Sequence, residues 1–346
     1  MNTIASLDRS PQDRLNRPLR DLRISVMDRC NFRCPYCMPR ERFHEHYGFL
    51  KTAERLSFEE ILRLTRLFVP MGVNKLRITG GEPLLRQSLP DLIADLHAIP
   101  GIEDIAMTTN GVLLAKHAYE LKAAGLARVT VSLDSLDQDT FSKMNGGFGR
   151  VSEVLDGIAH ARDAGLGPIK INAVIQRGTN DEGALALVEH FRGTGVTVRF
   201  IEYMDVGNRN DWQQQLVVPS RELQARIHAR WPLRAVKADF MGEVARRYAF
   251  EDGQGQVGFI SSVTQPFCGG CTRARLSSDG SFYTCLFAQT GTDLRGPMRA
   301  GMDDEDLGRI IRNTWTQRTD RYSEQRATLR AKPHAAPKIE MNYIGG

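Results

Sequence analysis

Six apolar, β-rich runs alternate with amphipathic helical runs through the first two hundred residues, and that order admits few folds. The spacing predicts strands over 22–26, 75–79, 104–108, 128–133, 169–175 and 197–203. Helices are expected between them over 57–69, 89–98, 113–124, 151–164 and 182–192, with Ser57 and Glu60 spaced as a capping box. Strand–helix–strand units with right-handed crossovers build a parallel sheet. Six units fall short of a closed eight-fold barrel, so an α/β fold with an open, incomplete (βα)6 TIM-like barrel is expected. In parallel α/β sheets the site lies beyond the C-terminal ends of the strands. The informative residues collect there: a cysteine loop after the first strand, Gly80-Gly81-Glu82 after the second, Thr108-Thr109-Asn110 after the third, Ser132 near the end of the fourth and Met204 after the sixth.

The pattern changes near residue 206. This divides the chain into an N-terminal segment (1–20), a partial barrel (21–206) and a C-terminal region (207–346). The last is expected to hold a helix over 220–230, short strands over 248–250 and 256–260, and a helix over 304–314. With 41% hydrophobic and 25% charged residues, the composition is ordinary for a soluble globular protein. A net charge of +5 admits an anionic substrate but is too small to argue for nucleic acid. The first twenty residues are rich in Asp and Arg and contain no apolar signal-type run, and no stretch is apolar enough to span a bilayer. A cytoplasmic, membrane-free location is therefore expected, a compartment in which structural disulfides are rare.

The cysteines fall into two sets of three. Cys30, Cys34 and Cys37 form C-x3-C-x2-C, and Cys268, Cys271 and Cys285 form C-x2-C-x13-C. Three thiolates can hold three corners of a cubane iron–sulfur cluster, leaving the fourth iron open to a small molecule. Zinc is the alternative at the first set, with His44 or His46 as a fourth ligand, although structural zinc sites are usually closed by four Cys or His. Arg77 and Lys170 interrupt otherwise apolar strands. Each needs an anion, either a ligand or a neighbouring carboxylate such as Glu82 or Glu202. Arg273 and Arg275 would share one face of a strand. Arg246-Arg247 and the basic tail residues Arg326, Arg330, Lys332 and Lys338 read as solvated surface, and Asp134, Asp137 and Asp139 as caps of a following helix.

The loop Cys30-Asn31-Phe32-Arg33-Cys34-Pro35-Tyr36-Cys37, paired with Gly80-Gly81-Glu82-Pro83, resembles the radical S-adenosylmethionine superfamily. The run Cys268-Gly269-Gly270-Cys271-Thr272-Arg273-Ala274-Arg275-Leu276, with Asp279-Gly280 and Cys285-Leu286, resembles the C-terminal cluster motif of the GTP 3′,8-cyclase, or molybdenum cofactor biosynthesis protein A, family. Met204-Asp205 and the terminal Gly345-Gly346 also fit, and the likeness runs from about Arg23 to the end of the chain. Thr272 departs from the asparagine commoner in that family.

The resemblance implies a lyase with two [4Fe-4S] clusters. Cys30, Cys34 and Cys37 would hold the cluster that cleaves S-adenosylmethionine, lined by Tyr36, Gly81, Ser132 and Met204. Cys268, Cys271 and Cys285 would hold a second cluster whose open iron meets guanine. Arg23, Arg77, Thr108, Lys170, Arg273 and Arg275 would contact GTP. Arg273, Arg275, Gly345 and Gly346 would act in catalysis, the Gly-Gly tail reaching into the site. The implied reaction is abstraction of the ribose 3′-hydrogen, attack of that carbon on C8, and reduction to 3′,8-cyclo-7,8-dihydro-GTP. The implied partners are a flavodoxin- or ferredoxin-like electron donor and the cyclic pyranopterin monophosphate synthase that takes the product, the protein being a monomer or homodimer. Two other readings stay open: a radical S-adenosylmethionine peptide maturase with an auxiliary cluster, and a zinc-binding regulatory or RNA-interaction protein.

Overall fold

The computed structural model describes residues 10–208, 210–240, 242–330 and 337–345. Its strands are β1 (Asp21–Ser25), β2 (Lys75–Thr79), β3 (Asp104–Thr109), β4 (Arg128–Ser132), β5 (Lys170–Ile175), β6 (Thr197–Glu202), β7 (Leu233–Val236), β8 (Arg246–Phe250), β9 (Gln256–Ile260), β10 (Arg273–Leu276), β11 (Ser281–Tyr283) and β12 (Thr292–Asp293). The helices are α1 (Phe58–Phe68), α2 (Leu89–His97), α3 (Leu114–Ala123), α4 (Gln138–Asn145), α5 (Val151–Asp163), α6 (Ala184–Phe191), α7 (Ser220–Arg230), α8 (Arg295–Arg299), α9 (Asp304–Thr316), α10 (Tyr322–Arg330) and α11 (Met341–Ile344). The capping box of α1 forms as its spacing predicts. Ser57 Oγ accepts from the Glu60 amide at 3.2 Å, and the Glu60 carboxylate accepts from the Ser57 amide at 2.8 Å. The pattern missed α4, a short polar helix whose core face amounts to Phe141, Met144 and Asn145.

All strands belong to one sheet, ordered β12-β11-β10-β1-β2-β3-β4-β5-β6-β9-β8-β7. The six expected strands lie side by side in chain order and parallel. The incomplete (βα)6 barrel is thus present, and the C-terminal region extends it at both edges. It adds β10 parallel to β1 and β9 parallel to β6, with antiparallel hairpins beyond. A strand separated by some 250 residues from its neighbour is invisible to local periodicity, which is why the sequence leaves β10 without a place.

Alternation along the barrel strands sorts the side chains. Leu22, Ile24, Leu76, Ile78, Val129, Val131 and Ile171 are buried against the helices, each contributing roughly 1.5–3 kcal/mol. The residues between them, including Arg23, Arg77, Thr108 and Lys170, face the barrel interior and line its cavity. Among the described residues no helix is long and apolar enough to cross a membrane.

Candidate active site

A cavity of about 710 Å³ runs through the barrel. Its lining brings together residues predicted from separate motifs: Tyr36, Ser132 and Met204; Arg23, Arg77, Thr108, Lys170, Arg273 and Arg275; and the second cysteine set. The first cysteine set, Gly81 and Gly345 are not on that lining, and Gly346 lies outside the described residues.

The loop after β1 closes as a tight turn, with the Cys37 and Met38 amides donating to the Cys34 carbonyl at 2.9 and 2.8 Å. Arg33 braces it by donating to the carbonyls of Cys30, Phe32 and Phe43. The Gly80-Gly81-Glu82 turn is laced to it from the side. The Gly81 amide donates to the Met27 carbonyl at 2.6 Å and the Glu82 amide to the Arg29 carbonyl at 2.8 Å. A Cβ on Gly81 would sit 2.2 Å from the Arg29 oxygen, so the approach requires glycine. The buried Glu82 carboxylate accepts from Thr109 Oγ1 and the Asn110 amide, and Asn110 Nδ2 donates to Asn31 in the cysteine loop at 2.6 Å. Burial outweighs those hydrogen bonds and lifts Glu82 to about 7.

The three thiols of this loop fit a cluster. Burial, with the Glu82 carboxylate adding to it, pushes Cys30 up to about 12, and burial with repulsion from the neighbouring sulfurs raises Cys34 and Cys37 as well. Bound iron would supply the positive charge that burial denies these thiolates. His44 and His46 are exposed, and among the described residues no group of three or more His, Cys, Asp or Glu is arranged to hold a single metal ion.

The second set sits in a different field. Burial acts to raise Cys271, but the Arg273 and Arg318 guanidiniums outweigh it and hold the thiol at about 6. At Cys285 burial, reinforced by Asp320, outweighs Arg318 and lifts the thiol to about 12. The carbonyls of this turn are held from below. Arg17 Nη1 donates to the Cys268 carbonyl and Arg318 Nη1 to the Cys271 carbonyl, both at 2.9 Å, while Asp13 accepts from Arg17 Nε at 2.6 Å. Asp13 and Arg17 are buried, so this part of the N-terminal segment packs as a floor under the Cys268–Cys271 turn. Thr272 completes it, its hydroxyl donating to Asp21 at 2.7 Å.

The cations form a ladder. Strand register sets Arg275, Arg23 and Arg77 side by side across β10, β1 and β2. Like charges directly opposite on neighbouring strands are destabilising. Burial and the neighbouring guanidiniums press the pKa of Arg23, Arg77 and Arg275 downward, although guanidinium stays protonated. Lys170 is lowered to about 8, by burial first and then by Arg199, Arg128 and Arg77.

The carboxylates weighed as ion-pair partners are engaged elsewhere: Glu82 as above, and Glu202 with the amides of Ser220, Val263 and Thr264. Among the described residues no ion pair within 4 Å engages Arg23, Arg77, Lys170 or Arg275. Such an array is built for a polyanion, because arginine forks match phosphate oxygens.

Several functional positions escaped the sequence reading. Arg199 lines the cavity from β6, bonded to Asn172 and Thr130, with its pKa lowered by burial. Its place on an alternating strand, like that of Arg77, was the available signal. Asp134 does not cap a helix. It accepts from Tyr36 OH at 2.7 Å and the Val174 amide at 2.8 Å, burial raises it to about 6, and only Asp137 caps α4. Arg326 and Lys338 are not solvated surface but buried or half-buried partners of Asp205. Arg247 is paired with Asp239 and Glu243, Arg246 and Arg330 are exposed at the residue level, and Lys332 lies outside the described residues.

The tail enters the barrel. Gly345 takes φ +74°, a left-handed conformation, and a Cβ there would meet Thr79 at 2.1 Å. The Gly345 carbonyl accepts from Arg275 Nη1, and Asn342 Nδ2 donates to the Asp28 carbonyl at 3.3 Å.

Residues 24–191 match the Radical SAM superfamily, and with the barrel, its cysteine loop and the Gly-Gly-Glu-Pro turn they define a radical S-adenosylmethionine protein, a class that implies a [4Fe-4S] cluster and S-adenosylmethionine. Residues 196–324 match Molybdenum Cofactor Synthesis C. The GTP 3′,8-cyclase of Xanthomonas axonopodis pv. citri (strain 306) is 55% identical over 335 residues, covering 97% of this chain and 98% of that one. Those of Acidothermus cellulolyticus and Staphylococcus haemolyticus are 49% and 47% identical, each over 97% of this chain and 99% and 98% of their own. The chain belongs to the GTP 3′,8-cyclase family. Among solved structures, native anSMEcpe with bound AdoMet aligns at TM-score 0.46 and 17% identity over 62% of this chain and 60% of that one.

Proposed function

We propose that this protein cyclises GTP to 3′,8-cyclo-7,8-dihydro-GTP, the first step of molybdenum cofactor biosynthesis. The observation that carries this reading is the register-aligned Arg275, Arg23 and Arg77 in a cavity that also reaches Cys268, Cys271 and Cys285. Cys30, Cys34 and Cys37 would hold one [4Fe-4S] cluster, and Cys268, Cys271 and Cys285 a second. When bound, the first cluster and S-adenosylmethionine would supply the radical chemistry for abstraction of the ribose 3′-hydrogen.

The protein's own work is placement. Tyr36, Ser132 and Met204 border the S-adenosylmethionine end of the cavity, while Gly81 holds the cysteine loop. Arg23, Arg77, Lys170 and Arg275 receive the triphosphate, with Thr108 beside them. Arg273 stands between substrate and cluster. The Gly345 carbonyl directs Arg275. Seating the nucleotide inside the barrel cavity would orient ribose C3′ and limit the access of water. The electron donor is a flavodoxin- or ferredoxin-like protein, the product passes to cyclic pyranopterin monophosphate synthase, and the location is cytoplasmic. Residues 1–20, 21–206 and 207–346 are the proposed working units.

The test uses anaerobically reconstituted protein. About eight irons per chain, with cyclised nucleotide formed from GTP, S-adenosylmethionine and dithionite, is the expected result. The same iron with 5′-deoxyadenosine and no nucleotide product would favour a peptide maturase, and zinc without iron would end both readings.

Two smaller predictions follow from the geometry. Arg17→Met removes the donor to the Cys268 carbonyl, so iron should fall toward about four per chain while 5′-deoxyadenosine formation persists. An unchanged iron count would separate this residue from the second cluster. Lys170 predicts a pH effect. Its pKa is depressed to about 8, so in the free protein its charge is an electrostatic cost below that pH and is lost as pH rises through it. A bound anion needs the charged form. GTP affinity should therefore weaken as pH rises through about 8, and Lys170→Met should flatten that step in calorimetric titrations.

A further inference from the structure

Three residues beyond the end of β6 lies Asp205, 1% exposed and next to Met204 of the cavity wall. Segments remote in sequence converge on its carboxylate. Oδ1 accepts from Arg326 Nε at 2.7 Å; Oδ2 accepts from Tyr322 OH at 2.6 Å, Lys338 Nζ at 3.1 Å and Arg330 Nη1 at 3.4 Å. Lys338 Nζ also donates to the Asp205 carbonyl and, at 3.1 Å, to Tyr322 OH. Arg326 passes a second hydrogen bond to the Ser262 carbonyl, in the loop after β9. Tyr322 stacks on Phe287 at 4.4 Å, and the Phe287 amide donates to Cys285 Sγ at 3.4 Å. One carboxylate thus joins the Met204 loop, α10, the Cys285 loop and the root of the tail.

Lys338 sits where the tail enters. Its amide donates to Asn208 Oδ1 at 2.7 Å, and the next amide, that of Ile339, donates to the Ala288 carbonyl at 2.8 Å. From there α11 leads to buried Ile344 and to Gly345 on Arg275. A tail of so few residues buries little apolar area, and segments of that kind open easily unless tied down. A charge-assisted pair shielded from water is a strong tie, and Lys338 is 13% exposed on its side chain against 2% for Asp205.

We infer that Asp205 is a positioning residue which, with Lys338 and Tyr322, forms a latch that seats the C-terminal tail in the barrel and so holds Arg275 in place for the substrate. The link to turnover rests on the function proposed above; the seating of the tail does not.

The experiment is hydrogen exchange by mass spectrometry on reconstituted protein, with product assays run beside it. In Lys338→Met, amides of residues 339–345 should exchange about tenfold faster than in the parent protein, and Lys338→Arg should restore most of the protection. Iron content and 5′-deoxyadenosine formation should hold, while cyclised nucleotide per 5′-deoxyadenosine drops about tenfold at saturating GTP. Tyr322→Phe keeps the stack on Phe287 and removes only the hydroxyl, so it tests the latch with the packing intact; it should raise tail exchange several-fold. Unchanged tail exchange in both variants overturns the latch. Faster exchange with unaltered coupling of 5′-deoxyadenosine to product overturns the positioning role. Should the parent protein make no cyclised nucleotide, the function reading fails, and the exchange result still decides the latch.

Discussion

Cys268→Ser is expected to emerge from anaerobic reconstitution with about four irons per chain instead of about eight, to form no detectable cyclised nucleotide, and still to cleave S-adenosylmethionine slowly under dithionite. The separation follows from the architecture. Cys30, Cys34 and Cys37 share one loop after β1, braced by Arg33 and by the turn after β2, none of which involves Cys268. Cys268 sits across the cavity, in the turn leading into β10, with its carbonyl held by Arg17. A serine oxygen there is a poor replacement for thiolate. Losing a corner frees the second cluster while the barrel, whose core lies behind other strands, keeps its fold. Iron analysis with chromatographic assay of 5′-deoxyadenosine and nucleotide checks all three parts. Loss of both clusters together would mean that the two sites assemble as one.

Arg23→Met should weaken GTP binding by about 10- to 100-fold, since each charge-assisted hydrogen bond contributes roughly 1.5–3 kcal/mol. The same variant should leave the ligand-free protein as stable as before or raise its midpoint by on the order of 1–3 °C. The two effects have one cause. Arg23 occupies the middle rung between Arg275 and Arg77, buried, so its removal relieves repulsion on both sides and also removes the fork that an anion would use. A structural arginine would behave oppositely: destabilisation on removal and unchanged affinity. Calorimetric titration and thermal unfolding with and without GTP decide between them. Arg273→Ala is a less clean probe, because Arg273 Nη2 donates to Cys271 Sγ at 3.3 Å and its loss touches the second cysteine set as well.

Much of this was legible in order and spacing. The period-2 and period-3.6 patterns place the six barrel strands to within a residue or two of β1–β6, and they place α1–α3 and α5–α7 as well. Both cysteine sets and the Gly-Gly-Glu-Pro turn are local in sequence and therefore readable in one window, although Cys285 is separated from Cys268 and Cys271 by β10 and β11. The interior cations Arg77 and Lys170 betray themselves because a charge in an apolar strand breaks its alternation. Arg326 and Lys338 carry no such mark. They lie in polar, basic stretches that look like any solvated surface until Asp205 is found opposite them. Asp134 looks like a cap for the same reason: it stands before a helix, and only the fold brings Tyr36 to it.

The linear chain thus determined the barrel, the two thiol sets and the need of Arg77 and Lys170 for an anion, whether ligand or carboxylate, since each follows from covalent spacing and from which side chains tolerate burial. Tertiary structure alone decided that β10 lies against β1, and with it that Arg275 stands beside Arg23 and Arg77. It alone decided that Asp13 and Arg17 prop the second cysteine turn and that Gly345 meets Arg275. Those arrangements join residues hundreds of positions apart, and strand pairing and charge complementarity become favourable only after chain collapse has brought them within hydrogen-bonding distance.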